Sequence, residues 1–173
     1  MKSVAWQTFS TPWGEFKGAA EKGALCRIGF SGESEEEFIH SLRRMSPQAE
    51  ITREYLPVLE ELERQLGEYF SRLRRQFELP LLFCGTPFQK MVWQELLKIP
   101  YGETLSYLAL AQLLDNPRLV RAVGAANGAN PLPFVVPCHR VIGAGGRLVG
   151  YGGGLEMKVR LLRLESNQPE LIF

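Results

Sequence analysis

"SYLALAQLLDNPRLVRAVGAANGANP", residues 106–131, contains two short helical segments separated by the turn signal "DNP". The first begins at Ser106. The second carries Pro117 in its first turn, where a missing N–H is harmless, and runs out in glycines. Two short helices with a tight turn, the second holding Arg118 and Arg121 among small residues, match a helix-turn-helix. As a pattern this is weak, because many helical hairpins bind nothing. Ala122, Gly124, Ala125 and Ala126 make the second helix thin, suited to approaching a nucleic-acid groove or to packing against a neighbouring element.

Working outward, "PFQKMVWQELLKIP" reads as a helix ahead of this pair, and "GAGGRLVGYGGG" (143–154) follows it with seven glycines in twelve residues. Such a segment is too flexible for a strand and suits a loop that admits or covers a flat ligand. The N-terminal third has a different texture. "SVAWQTF", "GEFKGAA" and "ALCRIGF" are short, rich in β-formers and broken by turn signals, which predicts a small antiparallel sheet. Alternation in the third segment predicts that Cys26 shares a face with Ile28 and Phe30, as a buried structural thiol. "SEEEFIHSLRRM" predicts a helix capped by Ser34, with His40 partly exposed within it. A longer helix is expected over about 56–74, with Val58, Leu62, Leu66, Tyr69, Phe70 and Leu73 as its apolar stripe and arginines at its end.

Length and composition bound the function. A chain of 173 residues, 45% hydrophobic and 23% charged, makes one ordinary domain or two small ones with a real core. No apolar stretch reaches bilayer-spanning length and the N-terminus lacks a signal peptide's apolar core, so a cytoplasmic location is expected. Three cysteines in no CxxC arrangement, with only two histidines, argue against a disulfide framework and a structural zinc site. Residues 1–85 carry a net charge of −2 and residues 86–173 a net charge of +3, so a polyanionic partner would meet the C-terminal half.

"PCHR" (137–140) holds the remaining chemistry. Cysteine reacts as thiolate, and an unassisted thiol is only a few per cent ionised near neutrality. Cys138 has His139 beside it, although adjacent residues of an extended chain point to opposite sides. A turn or a bridging water is therefore required, and Pro137 supplies a reason for irregular backbone. If His139 is the base, a carboxylate should orient it, with Glu103, Glu156 and Glu165 as candidates. A buried core cysteine is the competing account.

From Gly85 to Glu165, "GTPFQKMVW", "IPYGETLSYLALA", "RLVRAVGAANGANPLPFVVPCHRVIG" and "GGLEMKVRLLRLE" closely resemble the O6-alkylguanine-DNA alkyltransferases. The resemblance implies an α/β RNase H-like N-terminal domain (1–80), a linker (81–85) and a mainly α, winged-helix-like C-terminal domain (86–173). It implies Cys138 as alkyl acceptor, His139 as water-linked base, Glu165 as the carboxylate polarising it, and Asn130 as the hinge between helix-turn-helix and active-site turn. It implies Tyr107 as the residue that crowds the target phosphate and Arg121 as the finger replacing a flipped base. Pro133, Val141, Tyr151, Gly152 and Gly153 fall among the residues that contact the guanine. The implied partner is double-stranded DNA containing O6-alkylguanine, with O4-alkylthymine as a second lesion, bound in the minor groove by a monomer that can load cooperatively. No cofactor is implied.

The chain departs from the family in places. Human-type members hold zinc with N-terminal cysteines and histidines; only Cys26 and His40 remain here, so no metal is expected. Gly152 stands where some members have serine, and a fused zinc-bearing regulatory domain is not expected. The other readings are a non-reacting lesion-binding alkyltransferase-like protein, disfavoured by Cys138, and a winged-helix regulator, for which PCHR would be idle.

Overall fold

The computed structural model describes residues 2–166, which divide into compact units at Gly85/Thr86. In the first unit β1 (Ser3–Thr11), β2 (Gly14–Glu21), β3 (Ala24–Gly29) and β4 (Glu50–Arg53) form one sheet in the order β3-β2-β1-β4. The first three strands are antiparallel, as predicted; β4 runs parallel to β1 and makes the sheet mixed. Lys22 and Gly23, with φ of 52° and 77°, form the two-residue turn between β2 and β3, which needs positive φ at both positions.

α1 (Glu35–Met45) covers one sheet face. Its capping box is complete: Glu37 N donates to Ser34 Oγ at 3.1 Å and Ser34 N to Glu37 Oε2 at 2.9 Å. Val4, Trp6, Ala19 and Cys26 pack there with Phe38 and Leu42. Leu59 and Leu62 of α2 (Pro57–Phe70) cover the other face, where they crowd Gly18. Placing Cys26 with Ile28 is thus incorrect. A bulge slips the β2–β3 register between Ala19 and Ala20, so that Cys26 has no partner of its own. Cys26 stays on the α1 face with Arg27, whose guanidinium lies over Phe38, whereas Ile28 pairs with Gly18 on the α2 face. The thiol is buried, and burial pushes it up to about 12.

α2 ends at Phe70, four residues earlier than expected. Arg72 takes a φ of 62°, Leu73 is exposed, and Arg74 folds back to bond Glu68 at 2.7 Å. Leu59 joins the buried stripe. The segment expected as a linker begins alongside β3, with Leu25 N bonded to Pro80 O at 2.8 Å and Leu82 N to Leu25 O at 2.7 Å.

The second unit is mainly helical. Thr86 and Gln89 form a capping box that opens α3 (Pro87–Leu96). Ser106 caps α4 (Tyr107–Leu113), bonding Ala109 N at 3.0 Å. Asn116 caps a 3-10 turn, Pro117–Leu119, that leads into α5 (Val120–Gly128). Trp93 Nε1 donates to Ala126 O at 2.8 Å, which ties α3 to the thin face of α5. Leu105–Ser106 (β5) pairs in parallel with Val141–Ile142 (β6), and α6 (Leu155–Glu165) closes the unit. Among the described residues no helix is long and apolar enough to cross a membrane.

Candidate active site

The turn between α5 and β6 carries the site. Phe134 is fully buried with a φ of 71°, a conformation that costs a non-glycine residue about 1–3 kcal/mol and so requires firm surroundings. Asn130 supplies part of that support: its Nδ2 donates to Val136 O and its Oδ1 accepts from Leu132 N, both at 2.9 Å. Pro137 then turns the chain into the 3-10 turn Cys138–Arg140, so the adjacent cysteine and histidine are not in extended backbone. Asn127, on the last turn of α5, donates to Cys138 O at 3.3 Å.

Cys138 is 5% exposed. Burial raises its thiol above the ordinary value, while hydrogen bonds from Asn130 and Tyr151 and the Lys158 charge oppose the rise. Burial, the largest of these effects, favours the neutral thiol. His139 is fully buried, and burial lowers its proton affinity against the pull of Glu165. Its Nε2 lies 2.8 Å from Glu165 Oε1. Glu165 Oε1 also accepts from Arg140 at 2.8 Å, and Oε2 from Arg140 Nε at 2.9 Å. Burial alone would raise Glu165, but hydrogen bonds and charge from His139 and Arg140 hold it well below the carboxylate range. Because the carboxylate only accepts, Nε2 carries the histidine proton and Nδ1 is the basic nitrogen.

Of the three candidate carboxylates Glu165 alone reaches the histidine; Glu103 and Glu156 are exposed. Tyr151 places its hydroxyl against the Cys138 sulfur, and burial raises it well above its ordinary value. Tyr107 OH donates to Val149 O at 3.1 Å, holding the glycine-rich loop. Val141 and Pro133 are buried, Gly152 is exposed and Gly153 half-buried in that loop, and Arg121 is exposed at the start of α5. Cys138, His139, Glu165, Asn130 and Tyr151 thus converge, while Arg121 is exposed on the surface.

Two buried cations flank the site: Arg140, which the sequence marks only as a positive charge close to Cys138, and Lys158, which escaped the sequence reading. Lys158 is fully buried and donates to Val141 O at 2.6 Å, Val149 O at 3.3 Å and Gly150 O at 3.4 Å. Arg140 is 7% exposed and also reaches Ile99 O at 2.6 Å. The available signal was a spacing: Lys158 and Glu165 stand seven residues apart on one helix face among leucines, an expensive place for charge without partners. No group of three or more described His, Cys, Asp or Glu residues is arranged to hold a metal.

A buried thiol next in sequence to a histidine–carboxylate pair, shortly after a helix-turn-helix, suits transfer of a group from nucleic acid to protein. Comparison with known proteins agrees. Residues 87–167 match the family model of the 6-O-methylguanine DNA methyltransferase DNA-binding domain. The constitutive methylated-DNA–protein-cysteine methyltransferase of Bacillus subtilis is 42% identical over 161 residues, 92% of this chain and 94% of that protein. The methylated-DNA–protein-cysteine methyltransferase of Mycobacterium leprae is 55% identical over 104 residues, 60% of this chain and 63% of that protein. The Mycobacterium tuberculosis OGT, solved in complex with DNA, superposes with a TM-score of 0.78 at 35% identity, covering 95% of this chain and 94% of that one. The chain belongs to the methylated-DNA–protein-cysteine methyltransferase family.

Proposed function

We propose that this protein removes the alkyl group from O6-alkylguanine in duplex DNA, and from O4-alkylthymine, by transferring it to Cys138 once per molecule. The observation that carries this reading is the buried Cys138 beside His139, whose far nitrogen is held by Glu165 at 2.8 Å. His139 takes the thiol proton through a water. The sulfur then attacks the alkyl carbon, a carbon–sulfur bond forms as the carbon–O6 bond breaks, and the electron pair leaves on the guanine, which gains a proton. A thiolate is a soft nucleophile suited to that displacement, and hydrogen bonding to the leaving base favours it.

Reaching the alkyl carbon requires extrusion of the nucleotide, cheapest for a mispaired, damaged base. Tyr107 crowds the target phosphate, Arg121 fills the gap, and the thin α5 enters the minor groove. Pro133, the Val141 backbone, Tyr151, Gly152 and Gly153 surround the extruded guanine. Asn130 couples the helix-turn-helix to the active-site turn. The finer fold belongs to the same reading: an RNase H-like first domain and a winged-helix-like second one, in a cytoplasmic monomer that loads cooperatively on DNA without a cofactor.

The test is intact mass after incubation with a duplex carrying O6-methylguanine. A gain of one methyl, mapped to Cys138 and lost in Cys138→Ser, is expected. No gain, or a methyl on Cys26 or Cys84 in that variant, contradicts the proposal.

A further inference from the structure

The buried charges around Glu165 are more numerous than a thiol–histidine–carboxylate relay needs. A carboxylate bonded only to an imidazole draws that ring toward its charged form. A charged imidazole beside Cys138 would in turn draw the thiol toward thiolate, the form that reacts with any electrophile or oxidant in reach. For a protein that takes one alkyl group and has no route back, such an always-armed sulfur would be consumed off target.

Arg140 changes that balance. Its Nε and one terminal nitrogen hold the two Glu165 oxygens at 2.9 and 2.8 Å, a bidentate arrangement, while its other terminal nitrogen is anchored on Ile99 O at 2.6 Å. Its guanidinium also lies 5.8 Å from the Tyr101 ring centre, and Tyr101 OH is tied to Leu164 O at 3.2 Å, one residue before Glu165. Gly102 N adds a contact of 3.4 Å to Glu165 Oε2. The carboxylate that orients His139 is thereby already paired with a permanent cation, and His139 shares Oε1 with it.

The other groups facing this centre do not restore the pull. α6 contributes Lys158, a second cation whose charge disfavours imidazolium although it favours the thiolate, as does the Tyr151 hydroxyl from the loop; Tyr151 and, from α4, Tyr107 have proton affinities raised first of all by burial. α3 turns Val92, Trp93 and Leu96 inward, and α5 the uncharged Asn127. We infer that Arg140 is a positioning residue that neutralises Glu165, so that His139 is oriented but uncharged and Cys138 waits as a thiol until substrate is seated. This rests on Cys138 being the acceptor.

The tests titrate the resting protein without DNA, so their outcome is separate from whether alkylated duplex is the substrate. In the unaltered protein, ¹⁵N imidazole shifts should report His139 neutral at neutral pH, with its proton on Nε2. An imidazolium at neutral pH overturns the inference with no variant needed. In Arg140→Met, thiolate absorbance referenced to Cys138→Ser should titrate about one pH unit lower, roughly a tenfold gain in thiolate at neutral pH. Arg140→Lys, which keeps the charge, should return the midpoint most of the way. A purely structural arginine would leave the midpoint of a folded Arg140→Met protein unmoved, and that result also overturns the inference.

Discussion

Replacing Asn130 by alanine tests whether one side chain holds the active-site turn in shape. The carboxamide makes two bonds at 2.9 Å, one to Val136 O and one from Leu132 N, and both partner residues are fully buried. Val136 O keeps a second donor in Cys138 N at 2.8 Å, so its loss amounts to one ordinary bond, about 0.5–1.5 kcal/mol. Leu132 N would be left unpaired at a cost of about 1–3 kcal/mol. Together about 1.5–4.5 kcal/mol of unfolding free energy should disappear, read by equilibrium urea denaturation. Asn130→Asp keeps an acceptor for Leu132 N but turns a carboxylate toward Val136 O, and should lose at least as much. Because the Asn130 hydrogen bond opposes the burial that raises the Cys138 thiol, both variants should also react more slowly with free O6-benzylguanine. A loss below about 0.5 kcal/mol for the alanine variant, the level of an inconsequential surface change, would refute the role given to this side chain.

Other outcomes follow from the same geometry. Arg121→Ala should leave the reaction with free O6-benzylguanine intact and slow repair in duplex DNA by about tenfold or more, since only the duplex requires extrusion; equal losses on both substrates would mean that the arginine serves the fold. Acid should destabilise the protein below about pH 6.5, because His139 and Glu165 both bind protons less readily folded than unfolded. Burial is the first cause for His139, so the unfolded chain takes up more protons as pH falls, and His139→Gln should flatten that slope in denaturant titrations. Methylating the close-packed Cys138 should cost about 1–3 kcal/mol by overpacking, seen as a lower melting temperature after titration with excess methylated duplex. An unchanged melt, or uptake beyond one methyl per chain, would count against that account.

The secondary structure was most legible where a local signal decided it. Ser34 before α1, Ser106 before α4, and the turn between β2 and β3 each act over four residues or fewer, and each is where the sequence places it, whereas Pro117 opens a 3-10 turn ahead of α5 and not the helix itself. Failures occur where a distant partner decides. "EITR" has no pattern of its own and becomes β4 only because β1 offers a parallel edge. Cys26 changes sides because β2 and β3 slip by one residue, which alternation within β3 cannot register. α2 stops early although its stripe continues to Leu73, because Arg72 turns left-handed and Arg74 folds back onto Glu68.

The same division runs through the site. Cys138 and His139 are adjacent, which makes them candidates without excluding a buried core cysteine, but Glu165 lies 26 residues on and spacing could not choose it over Glu103 or Glu156. Lys158 was invisible as a site residue, and Arg140 showed only as a charge near Cys138 and not as a partner of Glu165, because a charged residue in a sequence looks solvated until the fold removes its water. Once buried they cannot be neutral bystanders: a desolvated cation without partners is expensive, and each here has at least three polar atoms to hold. Lys158 holds Val141 O, Val149 O and Gly150 O, and so fixes β6 and the loop beside it. Arg140 fixes the carboxylate and the end of α3's following turn through Ile99. Cys138, His139 and Arg140 are thus neighbours in sequence, whereas Glu165 and Lys158 reach them only through the tertiary fold.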